Sequence, residues 1–132
     1  MMFSYLVSAS LLVSIAAMTT PPVVATPSAQ QHAAASTDMS LHGQTLLRCS
    51  AAFAMVSYGQ SVDNTEAMKW PALGERGKEF FVRAMAQLMD ETGQSRQEIS
   101  HWVSAEAQRL SDTGTVNDVM PACLLMLETS DL

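Results

Sequence analysis

The chain is poor in the residues that make a chemical site obvious. It has two cysteines and three histidines in 132 residues, and with the cysteines at 49 and 123 there is no C-x-x-C pair to form a redox dithiol. There is no glycine-rich phosphate loop, no G-x-S-x-G elbow and no internal repeat, so the usual signatures of nucleotide binding and of a hydrolase nucleophile are missing. Basic residues are scarce: seven Lys plus Arg stand against thirteen Asp plus Glu, and the net charge of −6 repels nucleic acid and anionic lipid. Aromatic residues are thin, at four Phe, two Trp and two Tyr, and no stretch alternates apolar and polar residues as a half-buried strand would.

What remains is a one-domain length with 48% hydrophobic residues, enough for one modest core. The first part of it is not expected to belong to the fold. Phe3 to Ala17 is apolar or small throughout, Thr19-Thr20-Pro21-Pro22 breaks any helix, and Val23-Val24-Ala25 offers small residues where a signal peptidase reads. This predicts a secretory signal over residues 1–25, cleaved after Ala25 or, failing that, after Ala17. No Lys or Arg precedes the apolar run, which leaves the amino terminus as its only positive charge. A run of about fifteen residues is shorter than the ~20 of a membrane-spanning helix, so no stable anchor is expected after cleavage. A lipoprotein reading fails because Thr45-Leu46-Leu47-Arg48 puts a charge beside Cys49, far downstream of the apolar segment.

Residues 26–38 are mostly Ala, Ser, Thr and Gln without apolar periodicity and read as a disordered linker; His32 falls there. The helical domain is expected over residues 39–132. Its first helix should start at Asp38 or Ser40 and stop at Tyr58 before Gly59, with Leu46, Cys49, Phe53 and Val56 on one stripe flanked by Ala52 and Met55. Gln60 to Pro71 reads as a loop with Trp70 folded back over the core. A second helix is expected from Leu73–Gly77 to Thr92, with Phe81, Met85 and Leu88 inward and Phe80, Ala84 and Met89 beside them. Gly93 is placed to end it in the left-handed conformation.

Ser95 and Glu98 then form a capping box for a third helix whose face is Ile99, Trp102, Val103 and Leu110. Ser111 to Gly114 reads as a turn. A fourth helix, begun at Asn117 or Asp118 so that Pro121 falls early, would run to Leu127 with Val119, Cys123, Met126 and Leu127 on one face. The expected fold is therefore all-α, a bundle of three to four helices with both cysteines inward.

In an oxidising compartment an even pair of cysteines is most simply a disulfide, here joining the first and last helices. Closing a loop of about 75 residues removes roughly 4 kcal/mol of denatured-state freedom on the chain-entropy model.

Two sharper readings compete with a plain helical hairpin. Residues 88–103 resemble a DNA-binding helix-turn-helix, with a turn glycine at 93, Ser95 two residues later and Ile99 six after the glycine. Arg96, Gln97, Ser100 and His101 would then face the major groove. Against this, Met89 stands where that motif needs a small residue, and Asp90 and Glu91 would lie near phosphates. Glu98 and His101 also form Glu-x-x-His, the one-turn spacing of di-iron bundles, and Glu79, Glu91 or Glu106 could complete a metal site. Only one such motif is present, and charges at helical spacing ordinarily make a solvated face. Of the ten Met, three lie in the signal, and Met85 and Met89 have the spacing of an apolar stripe, so core packing explains them better than a thioether copper site. No catalytic residue and no cofactor is expected.

Arg48-Cys49-Ser50-Ala51-Ala52-Phe53, Gly77-Lys78-Glu79-Phe80-Phe81-Val82-Arg83 and Val119-Met120-Pro121-Ala122-Cys123-Leu124-Leu125 resemble stretches of a group of small exported proteins of proteobacteria that have no established activity. The resemblance spans most of residues 46–129 and implies an exported helical protein with a cysteine pair. A looser, architectural likeness is to the periplasmic acid-stress chaperones, which are also small, helical and closed by one disulfide. The expectation is a periplasmic or secreted protein that binds a protein partner in the cell envelope, or acts as a chaperone under stress, and does not bind nucleic acid.

Overall fold

The computed structural model describes residues 39–129, and every described helix belongs to one all-α bundle. The expected signal, its cleavage sites and the linker lie outside the described residues. Four helices follow one another: α1 (Leu41–Ser61), α2 (Gly74–Thr92), α3 (Arg96–Thr113) and α4 (Val116–Thr129), with a 3-10 turn at Ala67–Lys69 between the first two.

Helix α1 is the axis of the bundle, and its sequence explains why. Cys49, Ser50, Ala51, Ala52 and Phe53 are all buried, five consecutive positions that sweep more than a full turn. No single stripe can do that, and over this turn the helix must be wrapped by its neighbours. Helices α2, α3 and α4 each pack against it, the small side chains at 50, 51 and 52 letting them approach. Phe53 meets Phe80 of α2 edge to face, ring centroids 5.1 Å apart and planes at 79°, a geometry favoured by the ring quadrupoles. Leu46, Leu73, Leu88, Ile99, Leu110 and Met120 fill the rest of the centre.

The helix starts follow the expected chemistry. Ser40 caps α1 by accepting the Gly43 N–H at 3.0 Å, and Ser95 caps α3 by accepting the Glu98 N–H at 3.2 Å. Gly93 and Gly114 end α2 and α3 at φ of 68° and 65°, a conformation that costs glycine nothing.

Several expectations are corrected. Helix α1 does not stop at Tyr58 but runs through Gly59 to Ser61, and Gly59 is a contact point rather than a terminator: a Cβ there would lie 2.6 Å from the Cβ of Ala67. In α2 the two phenylalanines exchange roles, Phe80 being fully buried and Phe81 half-buried, because the face turned to α1 runs through Gly77, Phe80, Ala84 and Leu88. Ser111 belongs to α3, which continues to Thr113. Helix α4 begins earlier than expected, at Val116, so Pro121 lies within it and has no N–H to return to the Asn117 carbonyl; Met120, Cys123 and Leu127 are its buried residues, with Val119 and Met126 half-buried.

The Cys49–Cys123 disulfide joins α1 to α4 with Cα atoms 5.2 Å apart, and each cysteine is 1% exposed. The staple between first and last helices is thus present, deep in the core.

Candidate functional site

Glu98 and His101 lie on the outer side of α3, and Arg96, Gln97, Ser100 and His101 are exposed there as the helix-turn-helix reading requires. Their surroundings do not build the chemistry. The Glu98 carboxylate accepts the Trp102 indole N–H at 2.9 Å, so it locks a core side chain to its own helix. The other candidate carboxylates are engaged elsewhere: Glu79 with Arg83, Glu91 with the Ser40 backbone N–H at 2.6 Å, and Glu106 with Arg48 and Arg109. Among the described residues no three of His, Cys, Asp and Glu come together to hold a metal ion. Residues 88–103 hold one arginine, Arg96, together with Asp90, Glu91 and Glu98, whereas a phosphate backbone is gripped by several cations.

Two carboxylates hold helices together. Glu106 receives Arg109 in a bidentate fork at 2.6 and 2.8 Å and Arg48 of α1 at 3.0 Å. Burial pushes its carboxyl up, but the hydrogen bonds and charges of the two arginines outweigh that and hold it below the ordinary value, while Arg109 is raised in return by the same bond. At the start of α1, hydrogen bonds from the Ser40 hydroxyl and backbone N–H hold the Glu91 carboxyl low, with the His42 charge adding to them. Gly43 makes this clasp between α2 and α1 fit: a Cβ there would meet Glu91 Oε2 and Met39 Cγ, each at 2.7 Å.

The surface feature that pattern reading missed lies where the 62–73 loop meets the start of α4. Gln60, at the end of α1, organises it. Its Nε2 faces the carbonyls of Ala67, Trp70 and Pro71 at 3.2, 3.1 and 3.0 Å, and its Oε1 accepts the Leu73 N–H at 3.1 Å. Asn64 Oδ1 accepts the N–H groups of Glu66 and Ala67, both at 3.1 Å, and starts the 3-10 turn. Trp70 packs against the core as expected and is pinned by its indole N–H to Asn117 Oδ1 at 3.0 Å. Between these parts opens a cleft of about 300 Å³ lined mainly by Met55, Tyr58, Val62, Ala67, Trp70 and Val116. Tyr58 is 71% exposed, Val62 55%, and neighbouring Met68 57%, so apolar surface continues outside the cleft. The sequence signal that could have found it was the spacing Met55, Tyr58, Val62, which continues an apolar face of α1 past the expected stop at Tyr58.

No family model, no curated protein and no solved structure matches this chain.

Proposed function

We propose that this chain is an exported helical protein, periplasmic or secreted, that works by binding another protein in the cell envelope and not by catalysis. The observation that carries the binding role is the rigidly framed apolar cleft around Trp70. Its walls are held by Gln60, Asn64 and Asn117, so a partner would meet a preformed surface at little ordering cost. Export is supported by the apolar amino-terminal run ending in Val23-Val24-Ala25, by the oxidised pair Cys49–Cys123 and by the resemblance to small exported proteins. Among the described residues no helix is long and apolar enough to cross a membrane. A photo-crosslinking amino acid at Tyr58, exposed on α1, should give one stoichiometric adduct in envelope extract; a crosslinker at the far face of α3, at Ser100, should not. Equal labelling from both positions, or from neither, contradicts the reading.

A second reading, an acid-stress chaperone, is favoured by Glu91 and Glu106, whose depressed carboxyls each join α1 to another helix. Acid would protonate both, take the side-chain charge from −6 to about +10, from seven Lys and Arg plus three His, and expose the apolar helix faces. At about pH 3 the protein should then bind a hydrophobic dye and suppress aggregation of an unfolding client. Absence of both effects ends this reading and leaves the first untouched.

A further inference from the structure

We propose that α4 is a redox-controlled latch: the Cys49–Cys123 disulfide holds it shut, and reduction releases α4 as a unit while α1, α2 and α3 stay folded. The core divides unequally between the two parts. Helices α1, α2 and α3 each pack against the other two, whereas α4 packs chiefly against α1. It places Met120, Cys123 and Leu127 in the core, and the other buried apolar side chains among the described residues come from the first three helices, Met39 and the loop. The carboxylate clasps follow the same division. Glu91 with Ser40 joins α2 to the start of α1, and Glu106 with Arg48 joins α3 to α1. Helix α4 is tied by the disulfide and by Asn117, which accepts the Trp70 indole N–H at 3.0 Å. Pro121 weakens it from within by withholding one helical N–H. An element with few buried side chains and a broken hydrogen-bond ladder opens at a lower cost than the body it rests on.

The same packing sets how the bond is reached. Each cysteine is 1% exposed, so an attacking thiolate meets the sulfurs only when α4 lifts from α1. The reductant is a dithiol. One of its thiolates attacks a cysteine sulfur, forms a mixed disulfide and expels the other cysteine as a thiolate; its second thiolate then breaks the mixed disulfide. Cys49 and Cys123 gain two electrons and two protons, and the dithiol leaves as a disulfide. The start of α4 lines the Trp70 cleft beside Met55 and Val56, so release of α4 removes Val116 and Asn117 from that cleft. It also uncovers Cys49, Ala52 and Val56, which share one face of α1. The cleft is thus whole in the oxidised protein and open in the reduced one.

The test compares the full oxidised chain with the same chain reduced by dithiothreitol at neutral pH, using hydrogen exchange read by NMR. On reduction, the amides from Met120 to Leu127 should exchange about a hundredfold faster, while those of Leu88, Ile99 and Val103 stay within about tenfold of their oxidised rates. Equal acceleration at both sets of sites would mean that the whole bundle unfolds, and unchanged protection of α4 would mean that packing alone holds it; either result overturns the proposal. The rate of reduction tests the gate separately. Asn117→Ala, which frees α4 from Trp70, should speed reduction of the native protein about threefold or more. Glu106→Gln loosens α3 from α1 without touching α4 and should leave that rate unchanged. Equal acceleration by the two variants would place the opening in global unfolding and overturn the gate.

Discussion

Two polar side chains test how this interior is assembled. Ser50 is fully buried in the middle of α1 and its hydroxyl has no hydrogen-bond partner, so its desolvation is uncompensated. Ser50→Ala should raise stability by about 1 kcal/mol and the melting temperature by a few degrees; a lower melting temperature would mean the hydroxyl is satisfied in solution. Gln60 is the opposite case, one amide serving a whole loop. Gln60→Leu should cost about 1–3 kcal/mol, because the Leu73 N–H and the Trp70 carbonyl lose their partner. Hydrogen exchange at Leu73 should speed up in that variant, and unchanged protection would show that the loop is framed by other contacts. The role of Gln60 could not be read in sequence, since each of its partners is a backbone group and any residue type supplies one.

At the scale of helices, the two interhelix carboxylates set the response to acid. Both have folded-state pKa values below the reference of 4.5, so each contributes stability that is fully present above that pH and is lost as the pH falls through the lowered folded value. The urea midpoint should therefore drop between pH 5 and pH 3. Glu106→Gln should begin less stable at pH 7 and fall less steeply over that interval; a slope equal to that of the unaltered protein would remove Glu106 from the acid response. The helices themselves were largely legible. Ser40, Gly93, Ser95 and Gly114 are local signals and each stands at a helix boundary in the structure. What failed to read correctly was tertiary: Gly59 looks like a stop until Ala67 is seen packed on it, and Phe80 and Phe81 are adjacent apolar letters whose roles depend on where α1 lies. Pro121 suggests a late helix start, yet α4 begins at Val116 and leaves one carbonyl without its usual donor. The cleft at Trp70 escaped for a similar reason, since its walls come from α1, the loop and α4 and share no sequence pattern.

For the whole molecule, the disulfide and the central helix are one design. Helix α1 touches every other described helix, and α4, the last of them in sequence, is bonded to it through Cys49 and Cys123. Replacing both cysteines by alanine should lower stability by about 4 kcal/mol, read from urea unfolding at neutral pH, the reduced chain having a far larger denatured ensemble. A loss under 1 kcal/mol would show that packing alone holds α4. Such a staple forms under oxidising conditions, and the proposed export is the claim on which the account rests. The most direct measurement is the intact mass of the protein recovered from the cell envelope, taken before and after reduction. The account predicts a chain that begins after Ala25, or after Ala17, and gains the mass of two hydrogens on reduction. A full-length chain found in the cytoplasm with both thiols free, its mass unchanged by reductant, would contradict it.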